Sequence, residues 1–139
     1  MINDVELKIV KSADTAQLLS LYRHAGWWDT AESPRHTEVI AAIVTNSFCF
    51  VTASIGDSLI GMGRSISDGV SDAYIQDVMV HTDYRGNGIG KDIIRTMVAF
   101  LKEHELQWIG LISEPGYERF YQSLGFDTMP GYTPFLLKQ

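Results

Sequence analysis

One cysteine is all this chain carries, so no disulfide can form within it, and Cys49's place inside the apolar run Phe48 to Val51 marks it as a packing residue. Positive charge is also scarce: 11 lysines and arginines stand against 17 aspartates and glutamates, for a formal net charge of −6 and a pI near 5.0. Binding a phosphate backbone takes clustered cations, so nucleic acid is not an expected partner. No apolar run approaches the roughly 20 residues a membrane-spanning helix needs, and no leader pattern opens the chain. The expectation is a cytoplasmic protein without a membrane partner. His24, His36, His81 and His104 keep no recognised ligand spacing with one another or with Cys49, so no metal is expected. Repeats, low-complexity tracts and linkers are missing as well. What is present, 139 residues with 45% hydrophobic and 20% charged content, has the size and composition of one globular domain, residues 1–139.

Periodicity orders the elements. Leu7 to Val10 reads as a first strand and Ser12 to Ala25 as a helix, with Leu18, Leu21, Tyr22 and Ala25 on its apolar stripe, Asp14 and Gln17 as capping groups and Gly26 as its stop. Ser33-Pro34 opens a second helix that buries Val39, Ile40, Ile43 and Val44. Phe48 to Ile55, a Gly56-Asp57 turn and Leu59 to Ile66 form a hairpin, and Ala73 to His81 a further strand. From Ile89 a stripe of Ile89, Ile93, Met97 and Leu101 predicts a helix to about Glu103, followed by a short buried strand over Trp108 to Ile112. A strand, helix and strand in that order demand a parallel pair. Pro115 is expected to open a last helix that Gly125 closes, with final antiparallel strands from Phe126 onward, broken by Pro130 and Pro134.

The chemistry concentrates in Tyr84-Arg85-Gly86-Asn87-Gly88-Ile89-Gly90-Lys91, between a strand and a helix. Glycines there let backbone N–H groups converge at a helix N-terminus, which favours an anion. Two phosphate loops fail against it. The dinucleotide fingerprint needs glycine at Lys91, and the P-loop needs glycine at Arg85 and a magnesium-binding hydroxyl at Asp92. An anion cradle without that hydroxyl suits a diphosphate held by amides alone. Arg85-x-x-Gly88-x-Gly90 resembles the [QR]-x-x-G-x-[GA] signature of the GNAT superfamily of acyl-CoA-dependent N-acetyltransferases, with Val78-Met79-Val80 and Asp83-Tyr84 similar to its preceding strand and turn. Phe120-Tyr121-Gln122-Ser123-Leu124-Gly125-Phe126 is similar to the family's F-Y-x-x-L-G-F segment downstream. The resemblance covers residues 48 to 127 well, and the N-terminal third in element order alone.

That resemblance implies an α/β fold of the GNAT type: a mixed, mostly antiparallel sheet with one parallel pair, splayed where the cofactor enters, and helices on both faces. It implies acetyl-CoA as cosubstrate, its pyrophosphate on the backbone of Arg85, Gly86, Asn87, Gly88, Ile89, Gly90 and Lys91, and its pantetheine arm along Val78, Met79 and Val80. The reaction would be acetyl transfer to a small-molecule or peptide amine by direct attack, with a backbone N–H near Val78 or Met79 as oxyanion donor and Tyr121 as acid. Tyr121 also shares a helical stripe with Tyr117, Phe120 and Leu124, which on periodicity alone is a core pattern. Asp77 is a candidate base or a structural partner for a neighbouring strand. His81 sits at the strand end, as a second candidate base or as a solvated turn residue. Trp27 and Trp28, with Asp29 and Glu32 nearby, fall where relatives wall the acceptor cleft, although core packing is the commoner fate of tryptophan. Where many members carry an asparagine and a small residue ahead of F-Y, this chain has Glu114 and Tyr117. A homodimer is compatible with this reading, and an acyl-CoA-binding sensor without turnover is the alternative on the same fold.

Overall fold

The computed structural model describes residues 4–28 and 33–139. Five strands form one sheet in chain order: β1 (Val5–Ile9), β2 (Cys49–Ile55), β3 (Ser58–Ile66), β4 (Asp72–Val80) and β5 (Trp108–Leu111). The first three junctions are antiparallel and the last, β4 to β5, is parallel. Helices α1 (Thr15–His24) and α2 (Pro34–Asn46) cover one face, α3 (Ile89–Glu103) covers the other, and a short α4 (Glu118–Gln122) follows β5.

Local chemistry sets the helix ends. The Asp14 carboxylate accepts from the amides of Ala16 and Gln17, and Ser33 Oγ accepts from the amide of Arg35 with Pro34 at the first helical position. The period-2 alternation of β2 feeds two cores: Cys49, Val51 and Ala53 pack with Ile93, Ile94, Met97 and Leu101 beneath α3, while Phe50 joins Leu18, Tyr22, Ile40 and Val44 beneath α1 and α2. Cys49 is fully buried, and burial pushes its thiol up to about 12.

Two features of β4 position the site. Its pairing with β5 runs from Asp72 opposite Trp108 to Ile75 opposite Leu111 and stops there, while β4 continues to Val80. Against β3, Met62 pairs with Met79 but Arg64 pairs with Gln76, so Asp77 and Val78 oppose Gly63 alone. This is a β-bulge, and Asp77 takes a left-handed φ of 57° within it. The strand bends at the point where its neighbour ends.

Three expectations are corrected here. The last helix begins at Glu118 rather than Pro115, because Gly116 takes a φ of +93° that no helix continues through. Strand β5 is the sheet edge, with Trp108 46% exposed, instead of a buried strand. No strand forms after Phe126: Pro130 and Pro134 remove donors that a ladder would use, Gly131 turns at a φ of +81°, and Phe135, Leu136 and Leu137 lie exposed.

Candidate active site

Where β4 and β5 part, a cleft of about 1030 Å³ opens, at the upper end of the range for small-ligand pockets. Residues 74–80 of β4 form one wall, and Leu111, Ile112, Glu114, Tyr117, Phe120 and Tyr121 the facing one. Arg85, Gly86, Gly88, Ile89, Gly90 and Lys91 close one end, and Trp27 lines the cleft from beyond α1.

The glycine loop has the geometry of an anion cradle. Gly86 and Gly88 take φ of +81° and +79°, and Gly88 is the N-cap of α3 with no side chain capping the helix. The first amides of a helix have no intrahelical carbonyl to reach. Among the described residues, neither a side chain nor a carbonyl outside the helix accepts from the amides of Gly86 to Lys91; the first such bond along α3 is Asp92 N–H to Gly88 O at 3.1 Å. Asn87 Nδ2 donates to the carbonyls of Tyr84 and Arg85, and Arg85 Nε donates to Val80 O at 2.9 Å, so side chains fix the loop against β4 while its amides stay unpaired. Gly90 serves a different purpose. A Cβ there would lie 3.3 Å from the Phe120 ring, so this glycine lets α4 close on α3 and brings the two sequence motifs into contact.

Behind the bulge, Asp77 Oδ2 accepts from Arg64 Nε and from the Tyr22 hydroxyl, both at 2.7 Å, and Arg64 Nη2 donates to Gln76 Oε1 at 3.2 Å. Burial, then the Asp77 charge, raises the Tyr22 phenol well above its ordinary value, so it stays protonated and donates. The three residues tie α1, β3 and β4 together at the strained position.

On the facing wall Tyr121 is half-buried, its ring 5.0 Å from Phe120 and 6.0 Å from Phe126. Burial raises its phenol, and the charge of Glu114 and then Tyr117 add to the shift. Glu114 Oε1 in turn accepts from Trp27 Nε1 at 2.8 Å.

Residues 13–126 match the Acetyltransferase (GNAT) family. The chain belongs to that family. An uncharacterized N-acetyltransferase of Porphyra purpurea is 28% identical over 130 residues, 90% of this chain and 71% of the relative. One from Prochlorococcus marinus is 31% identical over 125 residues, 87% and 67% of the two chains. A chloroplastic GCN5-related N-acetyltransferase of Arabidopsis thaliana is 32% identical over 133 residues, 81% of this chain and 52% of its own. Among solved structures, a GNAT acetyltransferase from Streptococcus pneumoniae TIGR4 shares the fold with a TM-score of 0.82 at 24% identity, over 97% of this chain and 98% of that one. This GNAT protein is thus an acyltransferase with the family's mixed sheet and parallel pair.

Within this GNAT cleft the structure brings together Val78, Met79, Val80, Arg85, Gly86, Gly88, Ile89, Gly90, Lys91 and Tyr121; Asn87 does not line it, its side chain being turned to the carbonyls of Tyr84 and Arg85. Asp77 lines it too, with its charge already paired to Arg64, an arrangement suited to holding the bulge. The tryptophans divide: Trp27 lines the cleft, whereas Trp28 packs into the α1–α2 core, 5.1 Å from the Tyr22 ring. Asp29 and Glu32 lie outside the described residues. His81 does not line the cleft; its Nδ1 accepts from the Asp83 amide at 3.1 Å and its ring stacks on His24 at 4.0 Å. Sequence reasoning missed Arg64 and Tyr22 as partners of Asp77. A cation in the middle of an otherwise apolar strand was the one signal for Arg64, and the Tyr22 hydroxyl was hidden by the packing stripe its ring belongs to.

Proposed function

We propose that this protein transfers the acetyl group of acetyl-CoA to a primary amine by direct attack. The unpaired amides of Gly86 to Lys91 at the start of α3 carry the reading: they present donors and the positive end of a helix to a diphosphate, with Arg85 and Lys91 alongside. The stretch of β4 beyond Ile75, left without a β5 partner, offers its main chain to the pantetheine arm.

The amine first gives up its proton to water, and its nitrogen then attacks the thioester carbon. Charge gathers on the carbonyl oxygen, which a backbone N–H at Val78 or Met79 stabilises. Collapse breaks the C–S bond as Tyr121 delivers its proton to the departing thiolate and recovers it from solvent. A phenol with a raised pKa is well matched to that step, since it stays protonated at neutral pH.

A thermal-shift measurement tests the cosubstrate. Only a ligand that binds the native state stabilises it and so raises the melting temperature, and at one hundred times its Kd the added stability is about 2.7 kcal/mol. For a chain of this size that is a rise of about 5 to 10 °C with CoA or acetyl-CoA. ATP with magnesium, or NAD, should give none. A larger shift with ATP and magnesium, or none with acetyl-CoA, would reverse the reading.

A further inference from the structure

Charge is divided along the cleft. Arg85 and Lys91 stand at the glycine-loop end, and among the described residues the carboxylates lining the cleft are Asp77 and Glu114. Arg64 answers the charge of Asp77 at 2.7 Å. Glu114 has no ion-pair partner among the described residues. The one hydrogen bond its carboxylate makes there is from Trp27 Nε1–H at 2.8 Å, which joins the loop after β5 to the end of α1, 87 residues away in the chain. Indole N–H can only donate, so this bond fixes the carboxylate's orientation without cancelling its charge.

The surroundings are aromatic. Trp27 and Tyr117 line the same cleft and are 38% and 42% exposed, so each leaves part of its side chain open to it, although Trp27 also packs against Tyr22 at 6.1 Å and Tyr117 against Phe120 at 6.4 Å. A carboxylate next to partly exposed aromatic side chains suits a cation with an apolar body, through a charge-assisted hydrogen bond and cation–π attraction. The same carboxylate would repel the phosphates of an acyl-CoA, so it serves the other substrate. It lines the same cleft as Tyr121, the proposed acid, and its charge helps to raise that phenol.

We infer that Glu114, held by Trp27, recognises the ammonium group of the acceptor, and that the acceptor is a primary arylalkylamine whose ring rests on Trp27 and Tyr117. This rests on the acetyl-transfer reading above and names its second substrate. The bound ammonium passes its proton to water before the nitrogen attacks, so Glu114 binds and orients without entering the bond changes.

Phenethylamine and O-benzylhydroxylamine make a matched pair of probes. They differ by one CH₂ exchanged for oxygen, and at neutral pH the first is a cation while the second is neutral. Glu114→Gln keeps an oxygen for the Trp27 N–H and removes the charge. Expected is a fall of about 10- to 100-fold in kcat/KM for phenethylamine, the scale of a lost hydrogen bond to a charged group. Transfer to O-benzylhydroxylamine and the KM for acetyl-CoA should stay within about threefold. Trp27→Phe, which loses only the orienting donor and part of the ring face, should show the same selectivity more weakly. Equal losses with both nucleophiles would reduce Glu114 to a structural tie and overturn the inference, as would wild-type enzyme that leaves phenethylamine unacetylated. Stabilisation by acetyl-CoA separates the two readings: if it persists in that last case the cosubstrate assignment stands without this acceptor, and if it too is absent both fall.

Discussion

Tyr121→Phe should lower kcat by about 10²-fold or more, the usual scale of proton-transfer catalysis, with little change in the KM for acetyl-CoA. The substitution removes one oxygen and leaves the ring that packs against Phe120 and Phe126, so the fold has no reason to respond. A purely packing residue would therefore show nearly intact activity. The pH profile adds a signature. Burial foremost, and then Glu114 and Tyr117, hold the phenol above its ordinary value of 10.0, so kcat should fall only at strongly alkaline pH as the acid loses its proton. That limb should vanish in Tyr121→Phe. Because the Glu114 charge contributes to the upward shift, Glu114→Gln should move the limb toward lower pH. Wild-type kcat in Tyr121→Phe, measured where chemistry limits turnover, would return the residue to a packing role.

Gly88→Val should raise the KM for acetyl-CoA by about tenfold or more. No heavy atom lies within 4 Å of a Cβ built at Gly88, so the variant has room; its difficulty is the φ of +79°. A β-branched residue in the left-handed region costs on the order of 1–3 kcal/mol. The loop can relieve that cost only by rotating the peptide units whose N–H groups form the cradle, and about 1.4 kcal/mol is a tenfold loss of affinity. Gly88→Asn is the companion variant, since asparagine visits this conformation readily, and it should retain most of the affinity. Unchanged acetyl-CoA affinity in folded Gly88→Val would remove Gly88 from the site. Gly90 cannot serve in its place: a side chain there meets Phe120, so a variant would report on the contact between α3 and α4.

The legible parts of this chain are those that short-range chemistry decides. The bounds of α3 follow from the Ile89, Ile93, Met97 and Leu101 stripe that starts beside Gly88, and Ser33-Pro34 marks the start of α2. The glycine loop was readable because its function lies in backbone conformation, which glycine positions disclose directly. What stayed hidden depends on partners far away in sequence. Asp77 looks equally like a base or a brace until Arg64 and Tyr22 are seen beside it, 13 and 55 residues away. Trp27 and Trp28 are adjacent and chemically identical, yet one turns to the cleft, where its indole N–H donates to Glu114, and one to the core, where it packs against His36, although both touch Tyr22. Pro115 misled for a local reason: proline suits a helix start, but Gly116 follows it with a φ that ends any helix. The apolar Phe135 to Leu137 stretch has strand composition, and a strand exists only where a neighbour supplies its hydrogen bonds.

The central claim is direct acetyl transfer to an amine, and the most direct measurement follows both products at once. The protein is incubated with acetyl-CoA and a panel of primary amines that includes phenethylamine; free CoA thiol is read by colour, and the amine and intact protein by mass spectrometry. Thiol release should depend on the amine and match the acetylated amine one for one, with no acetyl group left on the protein, since the one cysteine is buried and is not needed. Thiol release that ignores the amine, or an acetyl group retained on the protein when amine is withheld, would contradict the account.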